Sequence, residues 1–126
     1  MHIQVKETMR RYIFTVLEGP DIGRSIELKV GRTLLGRAPD EPKSEADGVH
    51  HWTLIDKTVS RVHAELCLAD PGVPILKHRS ATNDTLVDGR KIKTENLQDG
   101  QIIRMGQTVI AMEVVAKRGI PVNRPR

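Results

Sequence analysis

Short hydrophobic runs recur along the chain and are separated by turn-forming residues. The run at 12–17 is rich in β-branched and aromatic residues, and the run at 25–30 alternates, with Ile26, Leu28 and Val30 on one face. No stretch combines end caps with a 3.6-residue hydrophobic period over the length of a helix. Regular short strands without helices predict an all-β fold, an antiparallel β-sandwich of about ten or eleven strands.

Turn signals divide the rest of the chain into further strands and one long loop. Asp88-Gly89 predicts a two-residue type I′ hairpin turn, because both central positions of that turn need positive φ. A second tight turn is expected at 105–107 (Met-Gly-Gln), and the polar segment 38–51 predicts a surface loop. The further predicted strands are 33–35, 52–55, 62–68, 73–77, 85–87, 91–93, 102–105 and 108–115.

The composition fits a single domain. The chain has 126 residues, of which 38% are hydrophobic, so it can bury its own core. We expect the sandwich to span 12–116, with an N-terminal tail at 1–11 and a basic C-terminal tail at 117–126. Because the sequence contains only one Trp, one Tyr and one Phe, the core must consist mostly of Val, Ile and Leu.

The single cysteine and the lack of long apolar segments bear on the compartment. Cys67 has no partner for an internal disulfide, which indicates a reducing compartment, and we expect it to pack as a small core residue. No run approaches the roughly 18 apolar residues of a membrane span, and the N-terminus lacks the apolar core of a signal peptide. A soluble protein without a membrane partner is therefore expected in the cytoplasm, or in the nucleus of a eukaryotic cell.

The net charge of +4 is concentrated near the two ends of the chain. Between residues 37 and 70, acidic residues outnumber basic ones. A broad basic face for nucleic acid is therefore not indicated, and three aromatic residues are too few for a base-stacking surface. Nucleic-acid binding through the basic tails is the weakest of the binding alternatives.

The motif SRVH at 60–63 places a hydroxyl, a guanidinium and an imidazole within four residues. We do not expect catalysis there, because no third group that would orient the histidine is apparent and the chain has no GxSxG, P-loop or dinucleotide motif. His50 and His51 are expected to be ordinary histidines of a surface loop, and the remaining histidines and Cys67 lack a zinc-ligand spacing. Neither an enzyme nor a metal or other cofactor is expected.

Anion recognition is better supported, because three separate segments supply hydrogen-bond donors. Gly36-Arg37 closes a predicted strand, Ser60-Arg61 precedes another, and Thr82-Asn83 precedes a third. Two guanidinium groups, two hydroxyls and a carboxamide suit a dianion if the loops of the sandwich bring them together.

These segments occur in the order GR, SRVH, TNDTLVDGRKI and LQDGQIIRMG, which closely resembles the forkhead-associated (FHA) domain. The family pattern is GR, then SxxH, then SxNGTxVNG, and the resemblance covers about residues 12–115. It implies a phosphothreonine-binding β-sandwich with its ligand site in the loops at one end. The partner would be a phosphothreonine-containing protein or peptide, which implies a Ser/Thr kinase and a role in signalling.

The resemblance also implies roles for the residues that match the motifs. Arg37 would bind the phosphate through its guanidinium, and Ser60 would donate its hydroxyl to a phosphate oxygen. Arg61 would add a second contact and Thr82 would line the phosphate pocket. Asn83 would hydrogen-bond the ligand backbone beside the phosphothreonine.

Four further residues would support the site or determine specificity. Gly36 would provide backbone geometry, and His63 would pin the loops by hydrogen bonds. Thr58 stands where family members read a position after the phosphothreonine, and its neutral side chain predicts no strong selection for an acidic ligand residue there. Arg79, just before the TND segment, is a second candidate for such a preference.

The sequence departs from the family pattern in ways that leave a second reading open. Asp84 replaces the glycine after the asparagine and brings a negative charge close to the pocket, and Ala81 replaces a serine of that loop. The alternative is therefore an FHA-like scaffold that binds a protein partner independently of phosphate. Thr8, in the N-terminal tail, is a possible phosphorylation site that could occupy the domain's own pocket, although an ordinary tail threonine is the simpler expectation.

Overall fold

The computed structural model describes residues 10–37 and 49–116, and in these ranges the chain forms eleven β-strands and no helix. The predicted all-β sandwich is confirmed. The strands are β1 (Arg10–Glu18), β2 (Ser25–Glu27), β3 (Gly31–Gly36), β4 (Val49–Thr53), β5 (Ala64–Leu68), β6 (Ile75–His78), β7 (Thr85–Val87), β8 (Arg90–Lys91), β9 (Thr94–Asn96), β10 (Ile102–Met105) and β11 (Thr108–Ala116).

The strands form two sheets, which we call the first and the second sheet. The first has the order β2-β1-β11-β10-β7-β8, and the second has the order β4-β3-β5-β6-β9. Neighbouring strands are antiparallel with one exception, since β3 and β4 are parallel, from Arg32 beside Val49 to Gly36 beside Thr53. The expected antiparallel sandwich thus contains one parallel pair. The connecting residues 37–48 are numerous enough for the crossover of about a dozen residues that a parallel pair needs.

The core lies between the two sheets and is mostly aliphatic, as the scarcity of aromatic residues predicted. Phe14 is fully buried at its centre, and Tyr12 and Trp52 are buried at its margins. The alternation of buried and exposed positions along β1 follows from the period of two in a strand with one face covered. Other core residues include Val16, Leu35, Leu54, Val59, Leu66, Leu76, Val87, Ile103, Met105, Ile110 and Met112.

Several local expectations need correction. Strand β4 begins at Val49, so His50 and His51 are half-buried strand residues rather than loop residues. Strand β2 ends at Glu27, and Val30 is 55% exposed instead of sharing the face of Leu28. None of the described residues belongs to a helix that could cross a membrane.

Cys67 lies on the outer face of the second sheet and not in the core. It is half-buried, and its thiol donates to the Glu65 carboxylate with an Sγ–Oε2 distance of 3.1 Å. Burial, followed by the neighbouring carboxylate, raises the pKa of the thiol, which disfavours the reactive thiolate. Thr8, the loop residues 38–48 and most of both predicted tails lie outside the described residues.

The loops that follow β3, β6 and β10 meet at one end of the sandwich. Gly36 and His78 end two strands that flank β5 in antiparallel orientation, so both lie next to its first residue, Ala64. Thr85 at the start of β7 is opposite Met105 at the end of β10. The segments 37, 54–63, 79–84 and 106–107 therefore share this end of the fold.

A buried carboxylate fastens two of these segments together. Asp56 is 1% exposed and accepts hydrogen bonds from the Thr58 amide (2.8 Å), the Thr58 hydroxyl (2.6 Å) and the Thr108 hydroxyl (2.7 Å). Burial opposes its ionisation, but these bonds hold the pKa of Asp56 below its usual range. The Thr58 hydroxyl also accepts from the Gln107 amide at 2.8 Å, so the 54–63 loop is tied to the β10–β11 turn.

Replacing Gly106 by alanine should destabilise the fold by about 2 to 5 kcal/mol. Its φ is +59°, and an added Cβ would lie 2.2 Å from the Thr58 hydroxyl oxygen and 2.7 Å from the Thr58 carbonyl oxygen. Urea unfolding of both proteins measures the loss. Gly100→Ala is the control, because Gly100 also has positive φ (87°) but no atom near the new Cβ, so only the backbone cost should appear. Equal losses for the two variants would contradict the steric account.

Candidate functional site

The end of β3 packs directly against the SRVH segment. A Cβ added at Gly36 would lie 1.9 Å from the Arg61 carbonyl oxygen, so only glycine allows this approach. The Arg37 amide donates to the Ser60 carbonyl (2.9 Å), and the Arg37 Nε donates to the Val59 carbonyl (3.2 Å). These contacts hold the exposed Arg37 side chain beside Ser60, and the exposed Arg61 follows next in the chain.

His63 joins this segment to the 79–84 loop. It is fully buried; its Nδ1 accepts from the Ser60 amide at 3.1 Å and its Nε2 lies 2.8 Å from the Asp84 carbonyl oxygen. Because Nδ1 accepts, the proton of the neutral ring must be on Nε2, which donates to Asp84. Burial, as the largest influence, lowers the pKa of His63 and so favours this neutral form.

Ser80 organises the 79–84 loop from within. Its side-chain oxygen accepts from the amides of Thr82 (3.1 Å) and Asn83 (3.0 Å). A hydroxyl has two lone pairs and one proton, so the Ser80 proton must form the 2.6 Å bond to the Ser60 hydroxyl oxygen. The Asn83 carboxamide donates to that same Ser60 oxygen at 2.7 Å.

Ser60 therefore has a defined hydrogen-bond polarity. Its oxygen accepts from Ser80 and from Asn83, which uses both lone pairs, and its own proton is left to donate outward. The Arg37 and Arg61 guanidinium groups are on exposed residues of the same loops. The arrangement is a donor-rich surface that is built before any ligand arrives, and it suits a group that carries negative charge and several acceptors.

The other residues predicted for the site occupy different positions around this centre. Thr82 is exposed, and its hydroxyl oxygen lies 3.4 Å from the Asn83 side-chain nitrogen. The Thr58 hydroxyl is engaged in the bonds to Asp56 and Gln107 described above. The Arg79 guanidinium is bonded to Glu65 on the outer face of the second sheet.

Glu65 is buried among cations on that face. Its carboxylate accepts from Arg32 at 3.2 Å and 3.3 Å, from Arg79 and from the Cys67 thiol. Burial works against ionisation, but these partners lower the pKa of Glu65 to about 2. Arg79 is thus committed to a buried, ionised carboxylate on the outer face of the second sheet.

Asp84, which stands at the glycine position of the family pattern, has no left-handed backbone conformation. Among the described non-glycine residues only Asp88 has positive φ, so an aspartate fits at 84 without strain. The Asp84 carbonyl accepts from His63, and the carboxylate lies 3.6 Å from the Lys91 Nζ. The negative charge that the sequence places near the pocket is therefore paired with a lysine.

Ser80 was missed by the sequence analysis, which noted only that Ala81 replaces a serine of the loop. The structure supplies hydroxyl bonds from the preceding residue instead. A serine whose hydroxyl accepts from the amides two and three residues later is a common local motif. The sequence Ser-Ala-Thr-Asn contains that signal, but the family pattern drew attention to the wrong position.

Comparison with known proteins agrees with this geometry. Residues 15–115 match the family described as the inner membrane component of T3SS, cytoplasmic domain. The chain is 30% identical over 92 residues to the FHA domain-containing protein FhaA of Mycobacterium tuberculosis, a match that spans 73% of this chain and 16% of that relative.

Solved FHA domains share the fold. The FhaA FHA domain, solved in complex with the intracellular domain of Rv3910, superposes with a TM-score of 0.66 at 26% identity over 81% of this chain and 99% of that chain. An FHA domain solved in work on phosphothreonine-dependent FHA interactions gives a TM-score of 0.64 at 28% identity, over 82% and 95% of the two chains.

The chain therefore belongs to the family of the T3SS component's cytoplasmic domain, which is an FHA-type domain. The resemblance to the FHA family found in the sequence is confirmed. FHA domains are protein-interaction modules, and the solved relatives place this chain in that class of fold.

The unfolding free energy should fall as the pH is lowered from 7.5 to 5.5. The folded-state pKa of His63 lies below the unfolded value near 6.5, so the unfolded chain takes up the proton first. The stabilisation is complete above the unfolded pKa and is lost as the pH falls toward the folded pKa. Urea unfolding across this range, compared with His63→Gln, isolates the contribution. Identical pH slopes for the two proteins would contradict it.

Ser80→Ala should release the 79–84 loop, because the amides of Thr82 and Asn83 lose their acceptor at a cost of about 1 to 3 kcal/mol. Amide hydrogen exchange should accelerate at Thr82 and Asn83. Ala81→Ser, at the neighbouring exposed position, is the control and should leave both rates unchanged. Unchanged protection in Ser80→Ala would show that the hydroxyl does not order this loop.

Proposed function

We propose that the domain binds phosphothreonine in partner proteins and so makes their association dependent on a Ser/Thr kinase. The observation that carries the proposal is the convergence of the Arg37 side chain, the Ser60 hydroxyl and the Asn83 carboxamide at one end of the sandwich. A phosphothreonine has a charge of about −1.5 to −2 and three acceptor oxygens, which matches a surface rich in donors.

Each predicted ligand contact then has a physical role. Arg37 and Arg61 would supply charge-assisted hydrogen bonds to phosphate oxygens, and Ser60 would supply a third donor. Thr82 would line the phosphate pocket. Asn83, already oriented by its bond to Ser60, would present its remaining polar atoms to the ligand backbone. Gly36 and His63 would act on the ligand only through the positions of these groups.

Binding energies of this kind suffice for a signalling interaction. A hydrogen bond to a charged group contributes about 1.5 to 3 kcal/mol net. Three or four of them give micromolar affinity, about 8 kcal/mol, once ordering costs are subtracted. The rigid sandwich lowers those costs because the donors are placed in advance.

The geometry favours binding over chemistry at Ser60. A serine nucleophile needs a base that accepts its hydroxyl proton. His63 Nδ1 accepts from the Ser60 amide instead, and its other nitrogen faces Asp84. We therefore propose a domain without catalytic activity. We also propose that it acts in the cytoplasm, since a single cysteine is typical of a reducing compartment.

The relatives support the ligand class. One was solved with the intracellular domain of another protein, and one in the context of phosphothreonine-dependent interactions. Thr58, whose hydroxyl is engaged within the fold, gives little side-chain chemistry for reading a charged neighbour of the phosphothreonine. Arg79 could take part only by sharing its guanidinium with Glu65.

Arg37→Ala should weaken binding of a phosphothreonine peptide library by about tenfold to a hundredfold, the equivalent of one lost charged hydrogen bond. Isothermal titration or fluorescence anisotropy measures it, with the unphosphorylated library as reference. Arg104→Ala is the matched control, because this exposed arginine lies on β10 and pairs with Glu18. If the folded wild type binds both libraries equally, the domain is a phosphate-independent scaffold and this proposal is wrong.

A further inference from the structure

A cationic recess lies beside the end of the 79–84 loop. It is a cavity of about 310 Å³ lined by His78, Asp84, Thr85, Lys91, Ile92 and Lys93. Asp84 follows Asn83 directly in the chain, so the recess adjoins the residue proposed to hold the ligand backbone.

The segment that carries the two lysines is fixed by backbone hydrogen bonds. The Ile92 amide donates to the Thr85 carbonyl (3.0 Å), and the His78 amide donates to the Lys93 carbonyl (2.9 Å). Residues 91–93 thereby link the first sheet at β7 to the second sheet at β6, both at the end of the sandwich that holds the donor cluster. The lysines are on a rigid element and not on a loose loop.

The charges of the recess favour an anion. Lys91 and Lys93 are both exposed, and Asp84 is the one carboxylate among the described residues that line the recess. The Lys91–Asp84 pair is open to solvent, with 73% and 59% of the two side chains exposed at a separation of 3.6 Å. Exposed pairs of this kind contribute only about 0 to 1 kcal/mol, so a ligand anion can displace Asp84 from Lys91 at little cost.

We propose that this recess, centred on Lys91 and Lys93, binds a second anionic group of the same phosphopeptide, either an Asp or Glu carboxylate or a second phosphate. The inference rests on the proposed phosphothreonine site. It assigns selection for an acidic ligand residue to the β8–β9 segment and not to Arg79, since Arg79 is committed to Glu65. Asp84 acts in it as an internal competitor that limits the preference.

The test compares affinities for phosphothreonine peptides that have alanine at every flanking position, except for one glutamate moved through each position in turn. A parallel set has phosphoserine in place of the glutamate and distinguishes the two sources of the anion. We expect one or two positions at which the acidic residue tightens binding to the wild type by about two- to fivefold at low salt. The gain should shrink as salt is added.

Variants then locate the effect. Lys93→Glu should abolish the gain from glutamate and create a preference for lysine at the same peptide position. Asp84→Asn should enlarge the gain, because Lys91 loses its internal partner. Lys29→Glu is the matched control, since Lys29 is an exposed lysine that follows β2 at the opposite edge of the sandwich, and it should keep the wild-type ratio.

The outcomes separate the two proposals. If the all-alanine phosphothreonine peptide binds but no acidic position helps, or if the gain survives Lys93→Glu, the recess is not a subsite while phosphothreonine binding stands. If the folded wild type binds no phosphorylated peptide at all, both proposals are overturned together.

Discussion

The buried imidazole of His63 is the interaction on which the site depends. Its two ring nitrogens bond the Ser60 amide and the Asp84 carbonyl, and its own carbonyl accepts from the amides of Arg79 and Ser80. Two loops that are twenty residues apart in sequence are thus held by one side chain and one peptide group. Leaving a polar atom of the buried His63 without a hydrogen-bond partner would cost free energy, so the native position of each loop depends on that of the other.

The bonds of His63 also determine which groups donate and which accept in the site. With Ser60 and the 79–84 loop fixed relative to each other, Ser80 and Asn83 can both reach the Ser60 oxygen. The amides of Thr82 and Asn83 occupy the lone pairs of Ser80, and Ser80 and Asn83 occupy those of Ser60, so the Ser60 proton is available to a ligand. Gly36 completes the arrangement by letting β3 approach so closely that Arg37 lies beside the same serine.

Much of this could be predicted from local sequence because the signals are local. The Asp88-Gly89 turn forms as expected, with φ values of 51° and 81°, since few residue pairs tolerate two positive φ angles in succession. The GR, SRVH and TND segments were likewise recognised as parts of one family pattern, and each supplies hydrogen-bond donors.

The predictions that failed concern features that depend on contacts between residues distant in sequence. Strand β4 is polar at His50 and His51 and is a strand because it pairs with β3, and the short β9 carries no hydrophobic alternation of its own. Ser80 is a mixed case: its bonds to the Thr82 and Asn83 amides are a local signal that was overlooked, whereas its bond to the Ser60 hydroxyl, twenty residues earlier, depends on the fold.

The lone pairs of the Ser80 and Ser60 hydroxyl oxygens are occupied within the protein, and this has a consequence for the ionisation state of a ligand. The donors that converge there, from Ser60, Arg37 and Arg61, need acceptor atoms and negative charge on the incoming group. A phosphate monoester that takes up its second proton, near pH 6, loses one negative charge and turns one acceptor oxygen into a hydroxyl, so it matches those donors less well. The site would then respond to the protonation state of the phosphate as well as to its presence. In the proposed complex, the dianion is therefore the form of the phosphate that best matches the donors around Ser60.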